Sequence, residues 1–494
     1  MKKITKLLLM TAIAIGMVAC SNDDVPQAPE SAKGNTYASI AVALPGGPST
    51  RAPLVGTSWD GVDAIESITV FMVNETKGTI DFSQFTAVNF NGISEGILRP
   101  NLAVKATPGE KVKAYVVVNG NGPILENLTQ KTTPNEFKIA YADAVEATAS
   151  QLAKNRAALD GTKGGETKDD RDVIWMTNNV EPTAMAVEAN VTEQQAKDGE
   201  GNYIEVEVER LVSRAIVTTS ANEFTVGGIT IKDLKYSVGQ SNKKFFWDKK
   251  EGDVTPNPLY EFVPNALAEW TDNTALDYSG LAARSEVLVA TNGTELAGFQ
   301  GQLVAEKGDS KFVLPVTHAE GDYRKGNTTY FEVVATFVPT TVEYDGTEYV
   351  PGEEIFLGMG DKKFYTTREL ATANGQEATM YNGTGTAGGV TPGAITKYVL
   401  WLNPDKIPGT DGLLKTEASP TVRNQVYHAH ISGFKSIGVP NNPLNPKDPN
   451  IDGNPINPID PTHPLENNDT YLSVEIKVVP WGVSSYELSL GQDY

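Results

Sequence analysis

The chain has 494 residues, which is too long for one ordinary domain and predicts two or three. Its formal net charge of -21 at pH 7 disfavours nucleic-acid binding, because an acidic surface repels phosphate groups. The single cysteine, Cys20, excludes an intramolecular disulfide, and the 40% hydrophobic content is sufficient for packed cores.

The first 20 residues have the pattern of an export signal. Three lysines precede an apolar run over residues 7–18, which is too short to span a bilayer comfortably. Ala19 directly before Cys20 resembles a lipoprotein signal box, although Met17 stands where leucine is usual. A palmitate-type acyl chain on Cys20 would hold the precursor at a membrane. A purely secretory signal with a chance cysteine is the alternative.

A leading strand follows over residues 37–44. Ile40, Val42 and Leu44 alternate with small residues, which predicts a half-buried strand that covers a sheet edge. Residues 45–53 are rich in glycine and proline and predict an exposed loop, which contains the Arg51-Ala52 bond.

Further strands and one helix are predicted in chain order. Alternating apolar residues predict the strands, which we place around residues 68–72 and over residues 111–118, 203–212, 329–338 and 397–402. The helix begins at Pro134, and Tyr141, Val145, Leu152 and Leu159 would lie on one of its faces.

A proline-rich segment separates these elements from the C-terminus. Its prolines recur every three or six residues, at positions 440, 443, 446, 449, 455, 458, 461 and 464. Polyproline II has three residues per turn, so the segment predicts a semi-rigid spacer without a packed core.

Two alternating stretches follow the spacer. The first contains Leu472, Val474, Ile476 and Val478, and the second contains Trp481, Tyr486, Leu488 and Leu490 after the break at Pro480. Such stretches predict one or two strands. They pair either with their own domain or with a partner chain.

No pattern indicates catalysis, a cofactor or a metal. His428 and His430 share one strand face, but no third ligand is near in sequence, so we predict an ordinary surface strand. Gly383, Gly385 and Gly388 fit a dinucleotide-binding pattern, yet no helix is predicted after them. We therefore expect a protein that is not an enzyme and needs no cofactor or metal.

These features together resemble a known family. The lipoprotein box, leading strand, arginine loop and terminal strands are similar to those of the FimA/Mfa-type fimbrilins, the type V pilins of Bacteroidales. Within this family the chain resembles the shaft subunits of short, Mfa-type fimbriae of oral Porphyromonas. The segments that carry the similarity are Gly61-Val62-Asp63, residues 318–330 (HAEGDYRKGNTTY), Trp401-Leu402-Asn403-Pro404 and Val479-Pro480-Trp481.

The resemblance implies a mainly β fold with two tandem, transthyretin-like β-sandwich domains. One or two helices lie in the first domain, and a donor-strand arm follows the second. The expected parts are a signal peptide (1–20), a propeptide (21–51), two sandwiches (52–222 and 223–437), a spacer (438–468) and a donor-strand region (469–494).

The resemblance also implies a route of assembly. A lipidated precursor reaches the outer membrane, and an arginine-specific protease of the gingipain type cuts between Arg51 and Ala52. The leading strand then leaves, and a terminal strand of a neighbouring copy replaces it, which builds a secreted homopolymer.

The implied partners are further copies of the chain, anchor and tip subunits of the fimbria, and receptors on host or bacterial surfaces. Membrane contact is expected only through the precursor lipid, and the fimbria would support adhesion and biofilm formation. The alternatives are a tip or accessory fimbrial subunit, and a monomeric surface lipoprotein that binds a glycan or a host protein.

Overall fold

The computed structural model describes residues 35–45, 64–86, 89–94, 97–154, 172–256, 276–290, 310–319, 322–385, 392–402, 419–441, 444, 465, 472–480 and 487–488. Within these residues, no helix has the length and apolar character needed to cross a membrane. The fold is mainly β, as the sequence predicts.

The N-terminal half contains fourteen described strands. They are β1 (Thr36–Ala43), β2 (Ala64–Ile65), β3 (Ser67–Asn74), β4 (Thr79–Thr86), β5 (Phe90–Ser94), β6 (Ile97–Pro100), β7 (Val104–Ala106), β8 (Gly109–Val118), β9 (Val145–Glu146), β10 (Ala153–Lys154), β11 (Val173–Ile174), β12 (Met176–Asn178), β13 (Met185–Val187) and β14 (Asn202–Arg210). The described helices here are α1 (Gly122–Thr129), α2 (Pro134–Ala142), α3 (Ala149–Leu152) and α4 (Glu193–Lys197).

Ten of these strands form one sheet. Its order is β4-β3-β8-β12-β14-β1-β6-β5, with β13 paired to β8 and β7 paired to β1. The sheet curls until its ends share one core, because Phe85 of β4 and Leu98 of β6 are buried in the same apolar cluster. The predicted inward faces of β3 and β14, which include Val70 and Val206, line that core.

Helices α1 and α2 cover the other face of β3 and β8. Phe137 of α2 packs against Phe71 and Tyr115, with ring centroids 5.0 and 5.1 Å apart. The helix starts at Pro134 as predicted, and the Thr133 hydroxyl caps it by accepting a hydrogen bond from the Glu136 backbone N–H at 3.3 Å.

The predicted helix is longer than the helix in the structure. α2 ends at Ala142, Val145 lies in strand β9, and Leu152 lies in the separate short helix α3. Val145 and Leu152 are therefore not on one continuous helix face, although Tyr141 and Leu152 are buried in the same core. Leu159 lies outside the described residues.

The C-terminal half contains seventeen described strands. They are β15 (Ser213–Thr219), β16 (Glu223–Val226), β17 (Ile229–Gly239), β18 (Ser241–Asn242), β19 (Lys244–Phe245), β20 (Leu276–Asp277), β21 (Ser285–Glu286), β22 (Leu288–Val289), β23 (Lys311–Val313), β24 (Tyr330–Pro339), β25 (Ile355–Gly358), β26 (Phe364–Tyr365), β27 (Ala378–Tyr381), β28 (Ala394–Trp401), β29 (Gln425–Phe434), β30 (Leu472–Pro480) and β31 (Glu487–Leu488). Helix α5 (Arg368–Thr372) lies between β26 and β27.

Two five-stranded sheets dominate this half. One has the order β22-β15-β29-β30 with β23 paired to β15, and the other has the order β16-β17-β24-β28 with β21 paired to β17. Tyr427 and Ile431 of the first sheet share a buried core with Phe331, Phe337 and Tyr398 of the second. The predicted strands near 329–338 and 397–402 correspond to β24 and β28.

The change from one half to the other occurs before the expected boundary at residue 222. β14 ends at Arg210 in the N-terminal sheet, whereas β15 begins at Ser213 and pairs with β22, β23 and β29. Residues 209–214 (ERLVSR) contain no glycine or proline, so the change of sheet has no local turn signal.

The described part of the proline-rich segment packs against the C-terminal half, unlike an exposed spacer. Val439 forms a bridge with Lys397, and the Leu444 side chain is buried beside Tyr330. Leu465 is also buried. Leu444 and Leu465 therefore supply apolar contacts within this segment.

Candidate functional site

Strand β1 lies inside the N-terminal sheet. It pairs in parallel with β14, from Ala38 opposite Asn202 to Ala43 opposite Glu207. On its other side it pairs antiparallel with β6 and β7. The expectation that it covers a sheet edge is therefore wrong, because neighbours occupy both of its hydrogen-bonding edges.

The apolar face of this leading segment is buried in the core. Ile40, Val42 and Leu44 have exposed fractions of 3%, 0% and 2%, and Ala41 on the opposite face has 0%. Burying a large aliphatic side chain contributes about 1.5–3 kcal/mol. Withdrawal of β1 would therefore open an apolar groove between β14 and β6/β7, with unpaired backbone groups along both walls.

Two polar residues anchor the start of β1. The Asn202 side chain donates to the Tyr37 carbonyl at 3.0 Å and accepts from the Glu188 backbone N–H at 2.7 Å. The Thr36 hydroxyl donates to the Glu188 carbonyl at 2.8 Å and accepts from the Val191 N–H at 3.1 Å. Sequence analysis missed both, since a single Asn or Thr at a strand start is a weak signal.

The predicted lipidation and processing residues lie outside the described residues. These are Cys20, Arg51 and Ala52.

Asn119 holds β2, the first described strand after the arginine loop. The Asn119 side chain donates to the Ala64 carbonyl at 2.8 Å and accepts from the Glu66 N–H at 2.7 Å. Asn119 adopts the left-handed conformation with φ 60°, which asparagine tolerates better than most residues.

The first alternating C-terminal stretch pairs within its own chain. β30 is antiparallel to β29 over nine residue pairs, and Leu472, Val474, Ile476 and Val478 stand opposite Phe434, Ile431, Ala429 and Tyr427. Among the described strands, β30 is the outer one of this sheet. Of the two pairings left open by the sequence, the structure therefore has the one with its own domain.

The second stretch is described only at β31. Leu488 stands opposite Ile65 in a two-residue parallel pairing between β31 and β2. Trp481, Tyr486 and Leu490 lie outside the described residues.

The histidine pair on β29 is buried, so the prediction of a surface strand is wrong. His428 and His430 are 1% and 6% exposed, on a strand that has β15 and β30 as its two neighbours in the sheet. The Thr218 hydroxyl lies between them, 2.8 Å from His428 Nε2 and 2.9 Å from His430 Nδ1. Among the described residues, no three His, Cys, Asp or Glu side chains converge as metal ligands.

A buried ion pair joins the two halves next to β14. Glu209 at the end of β14 lies 3.6 Å from Arg423, which precedes β29, and both side chains are less than 10% exposed. Burial raises the pKa of Glu209 to about 7, although the positive charge of Arg423 opposes the shift. Arg423 also donates to the Phe246 carbonyl at 2.7 Å.

Comparison with known proteins gives relatives of one kind. Residues 392–487, which contain β28 to β30 and the first residue of β31, match the family model of the C-terminal part of fimbrillin, the major fimbrial subunit protein type IV. The minor fimbrium subunit Mfa1 of Porphyromonas gingivalis is 30% identical over 530 aligned residues, which cover 98% of this chain and 99% of that protein.

Solved structures of fimbrial proteins also align with the chain. The fimbrilin FimA of P. gingivalis W83 is 15% identical with a TM-score of 0.44, over 92% of this chain and 99% of that chain. The tip fimbrial protein Mfa3 of P. gingivalis is 12% identical with a TM-score of 0.37, over 90% of this chain and 100% of that chain.

The 30% identity to Mfa1 over nearly the whole chain and the match of the C-terminal segment to the fimbrillin model indicate the same family. Proteins of this kind are structural and have no enzymatic activity. The chain belongs to the Mfa/FimA-type fimbrilins.

Proposed function

We propose that the chain is the shaft subunit of a cell-surface fimbria, and that it polymerises by exchanging β1 for a C-terminal strand of a neighbouring copy. The observation that carries this proposal is the position of β1, which is buried inside a sheet directly before the arginine loop. A strand in that position can be removed by one cut without breaking the remainder of the chain.

The precursor is proposed to be a lipoprotein attached through Cys20. An arginine-specific protease cuts after Arg51, which separates β1 and the lipid from the rest of the subunit. The remaining groove exposes apolar side chains and unpaired backbone groups, and both are unfavourable in water. An incoming strand that presents alternating apolar residues restores the burial and the hydrogen bonds.

The pairing of β30 with β29 of the same chain helps to decide which C-terminal segment is donated to a neighbouring copy. Residues 472–480 would have to break nine residue pairs with β29 before entering a neighbour. Of residues 481–494 the structure describes only β31, which has a two-residue pairing with β2. In the sequence, Tyr486, Leu488 and Leu490 repeat the spacing of Ile40, Val42 and Leu44. The segment after Pro480 is therefore the favoured donor, with residues 472–480 as its fixed base.

The contact so formed is head-to-tail and does not close, so it produces a filament. Anchor and tip subunits would end the filament, and receptors on host or bacterial surfaces would bind it. A subunit that retained its lipidated segment would instead act as an anchor or a monomeric surface lipoprotein.

The proposal is tested by treating purified precursor (residues 21–494) with an arginine-specific protease and comparing boiled and unboiled samples on a denaturing gel. A ladder that appears after cleavage and disappears on boiling is expected. Arg51→Gln should abolish the ladder, whereas Arg99→Gln, an exposed arginine on β6, should leave it unchanged. A stable monomer after complete cleavage at Arg51 would instead favour the monomeric lipoprotein.

A further inference from the structure

The N-terminal sheet almost closes on itself along the edges of β4 and β7. The Lys105 backbone N–H of β7 donates to the Ser83 hydroxyl of β4 at 3.4 Å. β7 also pairs with β1, while β4 is the first strand of the sheet order, so the two edges meet without a regular ladder between them. We call the contact between β4 and residues 104–108 the seam.

One end of the seam is fixed by Asn74. Its side-chain amide donates to the Thr107 and Pro108 carbonyls at 2.8 and 3.2 Å. Gly109 permits this approach, because a Cβ atom there would lie 2.5 Å from Asn74 Nδ2. Asn74 also stands opposite Thr79 of β4, so Thr79 and Thr107 are both held near the same side chain.

Asp81 lies on β4 between Thr79, which stands opposite Asn74, and Ser83, which contacts Lys105. It stands opposite Met72, and its side chain shares the inward face of β4 with Phe85. Asp81 is 0% exposed, yet neither of its carboxylate oxygens has a hydrogen-bond partner among the residues that the structure describes. The buried hydroxyl oxygens of Thr79 and Thr107 also have none.

Four oxygen atoms therefore lie out of water near one end of the seam, and no donor from the described part of the chain reaches them. A buried carboxylate without a compensating charge or hydrogen bond is unfavourable, and native proteins seldom retain one. A hard cation bound among these oxygens would satisfy them, because carboxylate and neutral oxygens are the ligands that Ca²⁺ prefers.

We propose that Asp81, with the hydroxyls of Thr79 and Thr107, binds a divalent cation of the Ca²⁺ type and thereby closes the seam. One carboxylate and two neutral ligands make a weakly charged site, which water completes. Sites with few charged ligands in extracellular modules bind Ca²⁺ with Kd values of about 10⁻⁴–10⁻³ M.

Calorimetric titration of chelator-treated protein (residues 21–494) with CaCl₂ tests the proposal. One site per chain in that affinity range is expected, together with a higher Tm in CaCl₂ than in EDTA. Asp81→Asn should remove both the binding heat and the Tm shift. Asp198→Asn, which changes an exposed acid at the end of α4, should keep both.

NaCl at equal ionic strength separates binding from screening of the net charge of -21. A Tm shift that NaCl reproduces, or that Asp81→Asn retains, would overturn the proposal, as would the absence of binding heat. If Asp81→Asn does not fold, Thr107→Val removes one ligand with little change of shape and should weaken Ca²⁺ binding at least about tenfold. Unchanged affinity in Thr107→Val would also overturn it.

Discussion

At the scale of single residues, Glu209 determines a pH dependence. Its pKa is raised from 4.5 to about 7 by burial. Below about pH 4.5 the carboxyl is protonated in the folded and unfolded states alike. As the pH rises towards 7, the unfolded chain releases this proton while the folded chain retains it, so Glu209 makes folding less favourable over that range.

Glu209→Gln should remove this contribution. A shift from 4.5 to about 7, at 1.36 kcal/mol per pKa unit, corresponds to at most about 3 kcal/mol. The stability of the variant relative to the wild type should therefore rise by up to that amount between pH 4.5 and pH 7.5, as measured by urea unfolding. Glu207→Gln, an exposed position on the same strand, is the control and should show no such rise.

A constant difference between Glu209→Gln and the wild type across this range would contradict the assigned pKa. The environment of Glu209 could not be predicted from the alternation of β14. Glu205, Glu207 and Glu209 alternate identically with apolar residues, and only Glu209 becomes buried, because the segment carrying Arg423 packs over the end of the strand.

At the scale of elements, β1 stabilises the precursor without being part of the proposed polymer. Ile40→Ala should lower the stability of the precursor by about 2–5 kcal/mol, because it leaves a cavity in the core. The same substitution should leave the cleaved polymer unchanged, since residues 36–43 have been removed from it. Thermal unfolding of both forms measures the difference.

Ser39→Ala, at a half-buried position on the opposite face of β1, is the matched control and should change the precursor little. Equal destabilisation of precursor and polymer by Ile40→Ala would mean that β1 remains in the subunit after cleavage.

The two C-terminal stretches should respond differently to a charge. Leu488→Asp should abolish polymerisation while leaving the unfolding of the uncleaved monomer nearly unchanged, because β31 has only a two-residue pairing. Ile476→Asp should lower monomer stability, because it lies midway along the β29–β30 ladder. Ser489→Asp and Ser473→Asp control for the added charge in each stretch.

Polymerisation by Leu488→Asp at the wild-type rate, together with its loss in Ile476→Asp without a change in monomer stability, would reverse the assignment of the donor. The sequence predicts both stretches as strands from their alternation. The strands with which they pair could not be predicted. Alternation of apolar residues indicates which side chains share a face of a strand, but not which other strand pairs with it.

At the scale of the whole molecule, the two halves share a buried aromatic cluster. Trp247 from the C-terminal half stacks with Tyr141 and Trp175 of the N-terminal half, at centroid distances of 6.1 and 6.3 Å. Phe245 packs edge-on against Trp247 at 5.1 Å. The cluster joins the sheet that contains β1 to the sandwich that carries the C-terminal strands.

Trp247→Ala should cost about 3–5 kcal/mol and should separate the unfolding of the two halves. Differential scanning calorimetry should then show two transitions where the wild type shows one. Val254→Ala, at an exposed position in the same half, should leave a single transition at an unchanged temperature. A single, unshifted transition in Trp247→Ala would show that the cluster does not couple the halves.

Strand identity and the mainly β class follow from the sequence, because alternation marks β3, β8, β14, β24 and β28 directly. The interior position of β1 could not be predicted from the sequence, because it depends on β6 and β7. These strands are short, and their few residues show no clear alternation. The packed start of the proline-rich segment is likewise a tertiary effect, since Leu444 is buried in a cluster whose other residues, such as Tyr330 and Trp401, lie far earlier in the chain.

Hydrogen exchange at the backbone amides of β14 tests the central claim most directly, in the precursor, in a cleaved monomer truncated after Pro480, and in the polymer. Slow exchange in the precursor, fast exchange in the truncated monomer and slow exchange again in the polymer are predicted, because β1 and then a donated strand cover the same edge. Exchange that stays slow in the cleaved, truncated monomer would contradict the account, since it would show that removing β1 opens no groove.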